Sequence, residues 1–185
     1  MMDSLLSLLT DPVLSKALGA TLSIVFLAGA WQKLKEPEVF AAAVDNYRLL
    51  PAALTGPAAR LIPLVELAAG LCLLFPETAR MGGLLAVALL VTVTGAVAFN
   101  LLRGRTKIDC GCGGLSSQPL SWSLVLRNAV LLAMVFPAAG EAAGRALVWA
   151  DYFTVAGGVL ALVGLYAAAN QLMTNAPFAL AVRNK

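Results

Sequence analysis

Residues 82–102 read "GGLLAVALLVTVTGAVAFNLL", a run that contains no charged side chain. A helix needs about 20 mostly apolar residues to cross the hydrocarbon core of a bilayer, so this run predicts a transmembrane helix over Gly82–Leu102. The whole chain has the same character, because 60% of its 185 residues are hydrophobic and only 12% are charged. Soluble domains average about 25% charged residues. The chain is therefore predicted to be embedded in a membrane.

Four more apolar runs have the length of a membrane span. They predict helices at about Val13–Leu34, Ala58–Phe75, Ser121–Ala139 and Trp149–Met173. The expected fold class is all-α: a polytopic membrane helical bundle of four to five transmembrane helices plus a short amphipathic surface helix. Residues 1–185 are expected to form one domain, with a core at about 13–139 and an extra C-terminal span at about 149–173.

The amphipathic helix is predicted in "EPEVFAAAVDNYRLLP", residues 36–51. Two prolines bracket the segment, and its apolar residues recur at helical spacing: Val39, Phe40, Ala43, Val44, Tyr47 and Leu50. Two placements fit this pattern. The helix can lie on the membrane surface, or it can pack on the bundle as an ordinary connection.

The basic residues predict a topology. The loops after spans one and three, together with the C-terminus, carry Lys33, Lys35, Arg48, Arg60, Arg103, Arg105, Lys107, Arg183 and Lys185, whereas the other face carries Lys16, Arg80 and Arg145. The positive-inside rule then places the C-terminus and the loop after span three in the cytoplasm. A net charge of +3, spread thinly between apolar spans, gives no sign of nucleic-acid binding.

That loop reads "RGRTKIDCGCGG", residues 103–114. A disulfide between Cys110 and Cys112 would close a very small ring, which Gly111 makes accessible because glycine tolerates unusual backbone angles. So short a ring removes little chain entropy, and strained, exposed disulfides are typically labile or catalytic. The pair is therefore predicted to be redox-active and exposed. The alternative is two free thiols without a function.

Charged neighbours bear on this chemistry. Arg103, Arg105 and Lys107 favour a reactive thiolate, whereas Asp109 opposes one. The chain has no histidine, which excludes Cys-His catalysis and most zinc and haem sites, so no metal site is expected.

Polar residues inside the spans are further candidates. Cys72, deep in span two, is either a packing residue or a relay thiol that takes electrons from the loop. The residues Lys33, Glu66, Asn100 and Arg127 are expected to cluster beneath the loop. They form either a buried ion pair that fixes helix packing or a polar pocket. Such a pocket would orient the loop, supply a proton or bind the head group of a quinone.

Four segments together resemble the methylamine utilisation protein MauE family, which is related to DoxX-like membrane proteins. They are "FLAGAWQKLKEPEVFAAAVDNYRLLP" (26–51), "LIPLVELAAGLCLL" (61–74), "NLLRGRTKIDCGCGG" (100–114) and "LSWSLVLRNAVLL" (120–132), in the family's order. One departure is Gly113, where the family often has an aromatic residue.

The resemblance implies a role in maturing extracytoplasmic proteins, as in methylamine dehydrogenase biogenesis. It implies thiol–disulfide exchange or electron relay with a thioredoxin-like, MauD-type partner in the bacterial cytoplasmic membrane. Cys110 and Cys112 would be the exchange pair, supported by Arg103, Arg105, Asp109, Gly111 and Arg127. A periplasmic client favours a periplasmic loop, against the charge count. A quinone-linked disulfide-generating enzyme and a non-enzymatic membrane scaffold or chaperone that holds the partner remain alternatives.

Overall fold

The computed structural model describes residues 10–106, 108–111, 119–140 and 145–183, with only the backbone for 176–183. This part of the chain holds six helices and no strand. They are α1 (Pro12–Lys35), α2 (Pro37–Asn46), α3 (Ala52–Leu74), α4 (Ala79–Leu102), α5 (Trp122–Ala139) and α6 (Trp149–Arg183). All except α2 are long and apolar enough to cross a membrane. The predicted all-α, multi-pass bundle is confirmed.

Two helices differ in extent from the prediction. Helix α3 begins at Ala52 rather than Ala58, so that Pro57 lies inside the helix without ending it, as Pro63 also does. Neighbouring helices can satisfy backbone groups that a proline frees in a membrane helix. Helix α6 continues past Met173, where the apolar run ends, to Arg183. Hydropathy therefore located the spans and most of the helix ends, but it missed the start of α3 and the end of α6.

Four long helices form a ring. Helix α1 packs on α3 and α5, helix α4 also packs on α3 and α5, and α6 packs on the outside of α1. The centre of the ring is a cluster of buried apolar residues: Leu18, Leu22, Phe26, Ala69, Leu73, Ala86, Leu89, Leu90, Leu131, Val135 and Ala138. Many outward-facing side chains are large and apolar, such as Leu160, which is 75% exposed. That pattern suits a surface covered by lipid.

Helix α2 packs on the end of the bundle. It starts right after α1 and contacts α3, with Phe40 and Ala43 buried and Tyr47, just beyond its end, also buried. Val39 and Leu50, predicted on the same apolar face, are instead 63% and 42% exposed. The structure thus supports packing on the bundle, and the buried face is narrower than the sequence pattern predicts.

Glycines let α3 and α4 approach closely at the other end of the bundle. A Cβ atom on Gly82 would lie 2.8 Å from the Leu73 nitrogen and 3.0 Å from the Cys72 carbonyl carbon. A Cβ on Gly83 would collide with the Cβ of Ala139. Gly82 therefore allows the close approach of α3 and α4, whereas Gly83 allows α4 to pack closely on α5.

We predict that Gly82→Ala lowers the free energy of unfolding by about 1–3 kcal/mol, because backbone atoms cannot move aside for the added methyl group. Thermal unfolding in detergent micelles measures the effect. Gly95→Ala is the matched control, since a Cβ at Gly95 meets no atom within 4 Å and alanine favours the helix. Equal stability of the two variants would contradict the close approach.

Candidate functional site

Cys110 lies inside the bundle end, contrary to the exposed pair that the sequence predicts. It is disulfide-bonded and only 5% exposed. The residues that pack together around it come from the α2–α3 connection, α4, α5 and the loop: Tyr47, Val97, Leu101, Leu120 and Leu124. Cys112 and Lys107 lie outside the described residues.

The backbone around Cys110 is not helical, so its polar groups need partners from elsewhere. The Tyr47 hydroxyl donates to the Cys110 carbonyl oxygen at 3.0 Å. The Gly111 N–H donates to the Asp109 carboxylate at 3.2 Å, and the Leu120 N–H donates to the Ile108 carbonyl at 3.1 Å. The tyrosine, the aspartate and the returning chain thereby fix the segment.

Gly111 cannot be replaced without strain. Its φ of +65° is a left-handed conformation that side chains with a Cβ rarely adopt. A Cβ at this position would also lie 2.9 Å from the Cβ of Ala43. The glycine between the cysteines thus permits both the turn and the close contact with α2.

Arg105 ties the loop to two helix ends. Its guanidinium donates to the carbonyl oxygens of Tyr47 and Asn46 and to the Asn100 side-chain oxygen, each at 3.1 Å. Carbonyls at a helix C-terminus lack partners within their own helix, and Arg105 supplies one. The arginine that the sequence assigned to thiolate activation therefore holds α2 against the end of α4.

Arg103 and Asp109 each contact a neighbouring group at the start of the loop or within it. The guanidinium of Arg103 stacks over the Phe99 ring at 5.0 Å from its centroid, and the side chain is exposed. The Asp109 carboxylate accepts the Gly111 N–H described above. Both residues thus shape or flank the loop.

A cavity of about 530 Å³ lies below Cys110. It extends from Leu90, midway along α4, up to Cys110 and Gly111. Its walls come from every helix, and most of its lining side chains are apolar. Cavities of this size are typical of sites for small organic ligands.

Lys33 and Glu66 form an ion pair in the cavity wall. The Lys33 ammonium lies 2.9 Å from both Glu66 carboxylate oxygens, and the two side chains are only 8% and 14% exposed. The ring of Phe40 covers the ammonium, 5.5 Å from the ring centroid. The predicted partners thus meet, and both line the space beneath Cys110.

Arg127 reaches the same cavity from α5. Its Nη1 donates to Asn170 at 2.9 Å, and its Nε and Nη2 donate to Asn128 at 3.3 and 3.2 Å. The guanidinium also lies 6.0 Å from the Tyr166 ring centroid. These bonds engage three of its five N–H groups. Lys33, Glu66 and Arg127 therefore share one cavity.

Asn100 does not join this group. It is fully buried, but it accepts from Arg105 and donates to the Ala96 carbonyl oxygen at 3.1 Å. It does not line the cavity. Its role in the described structure is to hold the loop.

Cys72 lies at the opposite end of the bundle from Cys110, close to the end of α3 rather than deep within the span. It is a free thiol in the last turn of α3, whereas Thr55, near the start of α3, bonds to Asp45 of α2 at 3.5 Å. At 1.5 Å per residue, Cys72 is about 25 Å along the helix from Thr55. Direct exchange between Cys72 and Cys110 does not fit this placement.

Two residues of the site were not singled out from the sequence as functional. Tyr47 and Phe40 were predicted only as parts of an apolar face, yet Tyr47 bonds the Cys110 carbonyl and Phe40 covers Lys33. A signal was available for Tyr47, because a buried tyrosine hydroxyl usually finds a hydrogen-bond partner.

We predict that Lys33→Met lowers the free energy of unfolding by about 3–5 kcal/mol, because it leaves the buried Glu66 carboxylate without its partner. In the double variant Lys33→Met/Glu66→Leu, most of that loss should be recovered. Unfolding in detergent micelles measures both. Arg145→Ala breaks exposed ion pairs with Asp11 and Asp151 and is the control, with little change expected. An unrecovered loss in the double variant would contradict the prediction.

Burial raises the pKa of Tyr47 to about 12, and the nearby Asp109 carboxylate adds to the rise. The stability from Tyr47 is therefore fully present below pH 10, its ordinary pKa, and is lost as pH rises toward 12. Tyr47→Phe should cost about 1 kcal/mol at neutral pH through the lost bond to Cys110. It should also remove the tyrosinate absorbance step near pH 12. Because the chain has two other tyrosines, Tyr152 and Tyr166, the step of Tyr47 is read from the difference between the parent protein and Tyr47→Phe. A step near pH 10 in that difference would contradict the buried hydroxyl.

The comparisons with known proteins match the part of the chain that includes the four segments on which the resemblance rests. A family profile described as "Methylamine utilisation protein MauE" matches residues 11–142. The chain is 43% identical over 128 residues to methylamine utilization protein MauE of Paracoccus denitrificans, covering 68% of each chain. It is 39% identical over 134 residues to the protein so named from Methylorubrum extorquens, covering 71% of this chain and 72% of the relative.

The protein so named from Paracoccus versutus is 42% identical over 133 residues, 71% of each chain. No solved structure matches the chain. The family match includes helices α1 to α5, the loop and Cys110, and it ends before α6. The resemblance stated from the sequence is thereby confirmed, and the chain belongs to the MauE family.

Proposed function

We propose that this protein is a membrane thiol–disulfide redox protein whose reactive bond joins Cys110 to Cys112. The observation that carries the proposal is the disulfide at Cys110, directly above a cavity with fixed charges. Of the chain's three cysteines, Cys72 is free and lies at the far end of the bundle, which leaves Cys112 as the partner. The bond then sits in the segment that Tyr47, Asp109 and Arg105 hold in place.

The two cysteines have different roles in this proposal. Cys110 is buried, so a partner protein cannot reach its sulfur, and exchange proceeds at Cys112. A partner thiolate attacks the Cys112 sulfur, the bond to Cys110 breaks, and Cys110 leaves as a thiolate. Lys33, Glu66 and Arg127 line the same cavity as Cys110. Because Glu66 offsets Lys33, the three side chains leave one positive charge, and positive charge favours a thiolate.

The second half of the exchange releases the partner. A second partner thiolate attacks the mixed disulfide and frees Cys112. The partner is then oxidised to a disulfide, and Cys110 and Cys112 are reduced to thiols. The same steps in reverse reduce the partner. Its expected fold is thioredoxin-like, of the MauD type, and its active site must reach the face of the membrane that carries the loop.

The relatives named above are methylamine utilization proteins. For this chain we therefore propose a role in methylamine utilisation, as a factor in maturing the disulfide-rich small subunit of methylamine dehydrogenase. The location that fits this role is the bacterial cytoplasmic membrane, where five apolar helices can span the bilayer.

We predict that Cys110→Ser traps a mixed disulfide with a MauD-type partner that keeps only its first active-site cysteine, activated beforehand as a disulfide with thionitrobenzoate. The Cys112 thiolate attacks the partner's sulfur, and thionitrobenzoate leaves as a thiolate. Cys112→Ser should trap roughly tenfold less, because the remaining Cys110 thiol is buried. Non-reducing gels of the purified proteins measure the adduct. Cys72→Ser is the matched control and should leave exchange unchanged.

Two results would overturn the proposal. One is the absence of an adduct in both variants, Cys110→Ser and Cys112→Ser. The other is normal maturation of methylamine dehydrogenase by the Cys110→Ser/Cys112→Ser double variant, and this result would favour the scaffold alternative. Thiol counts on denatured protein offer a direct check, since one thiol is expected before reduction and three after it.

A further inference from the structure

The cavity beneath Cys110 opens where a molecule dissolved in the bilayer can enter. Three of its lining residues, Leu49, Leu50 and Phe99, are also 40–48% exposed on the outside of the protein. All three are apolar, and they lie where α4 passes the α2–α3 connection. The side opening is therefore suited to a lipid-soluble ligand.

The interior of the cavity combines apolar walls with a few hydrogen-bond donors. Val25, Leu90 and Leu131 are among its apolar lining residues, whereas Lys33 and Arg127 bring N–H donors and positive charge. Glu66 offsets the charge of Lys33, so the described charged lining residues sum to one positive charge. Such a site suits a neutral apolar molecule with acceptor oxygens that gains negative charge on reduction.

We infer that this cavity binds a membrane quinone, which accepts electrons from Cys110 and Cys112. The inference rests on the proposed function, and it gives that function a direction. The quinone ring occupies the apolar space below Cys110, its isoprenoid tail leaves through the opening beside Phe99, and one ring oxygen accepts from Arg127.

The reaction balances without any other reagent. The two thiols of Cys110 and Cys112 lose two electrons and two protons and form one disulfide. The quinone takes up the two electrons on its ring and the two protons on its two oxygens, and becomes a quinol. The quinol leaves into the bilayer, and the new disulfide oxidises the thioredoxin-like partner.

The test uses the full chain in lipid nanodiscs, reduced with dithiothreitol and freed of it. A ubiquinone with a single isoprenoid unit is added under anaerobic conditions, and its loss is followed by ultraviolet absorbance beside a thiol count. We expect one quinone to be consumed for two thiols. The Cys110→Ser/Cys112→Ser variant, which keeps only Cys72, gives the background and should show no comparable reaction.

A pair of glycine variants tests whether the cavity is the site. Gly95 lines the cavity, and a Cβ there meets no atom within 4 Å, so Gly95→Phe fills space without a clash at the backbone. It should slow quinone reduction by about tenfold or more. Gly157→Phe is the matched control, because Gly157 also has open surroundings but does not line the cavity.

A further variant tests whether Arg127 donates a hydrogen bond to the quinone. Arg127→Gln should raise the KM for the quinone by about tenfold through a lost charged hydrogen bond.

Equal rates of quinone reduction in Gly95→Phe, Gly157→Phe and the parent protein would show that the cavity is not the quinone site. Mass spectrometry that finds only a phospholipid bound in the cavity would show the same. If the mixed disulfide forms and the quinone is not reduced, this inference fails and the proposed function stands. Quinone reduction without any mixed disulfide would instead refute the partner exchange.

Discussion

The structure around Cys110 depends on one constraint: a non-helical segment is enclosed within the end of a membrane bundle, so its peptide groups must find protein partners. Tyr47 and Asp109 provide two of them through side-chain bonds. Arg105 closes the arrangement by binding the carbonyls at the end of α2 and the side chain of Asn100. Helix α2 is therefore part of the site, because Tyr47 directly follows its last residue and Ala43 packs against Gly111.

The charges in the cavity follow from the same enclosure. A single buried charge in an apolar bundle is costly, and Lys33 and Glu66 reduce that cost by pairing, with Phe40 over the ammonium. Arg127 is held by asparagines on its own helix and on α6. This arrangement is what allows charged groups to face an apolar space, and it links the C-terminal helix to the site through Asn170.

The sequence predicted the spans and the fold class because both depend on hydropathy, which each segment carries by itself. It also predicted that Lys33 and Glu66 meet, since both enter from the same face. The details that failed depend on contacts between distant segments. Arg105 was assigned to a thiolate because it lies close to Cys110 in sequence, yet it bonds Asn46 and Asn100. The depth of Cys72 was misjudged although the predicted end of its span, Phe75, lies one residue beyond the observed end of α3. The burial of Cys110 was missed because it requires knowing where α2 lies.

The burial of Cys110 gives the proposed redox pair two separate approaches. Cys110 lines a mostly apolar cavity, and the chain continues through Gly111, pressed against Ala43. In the proposed mechanism the partner protein meets Cys112, while the cavity gives the quinone access to Cys110. A water-soluble dithiol and a lipid-soluble acceptor then never compete for one surface. Gly111 directly follows Cys110 and turns the chain there at a φ that few other residues adopt.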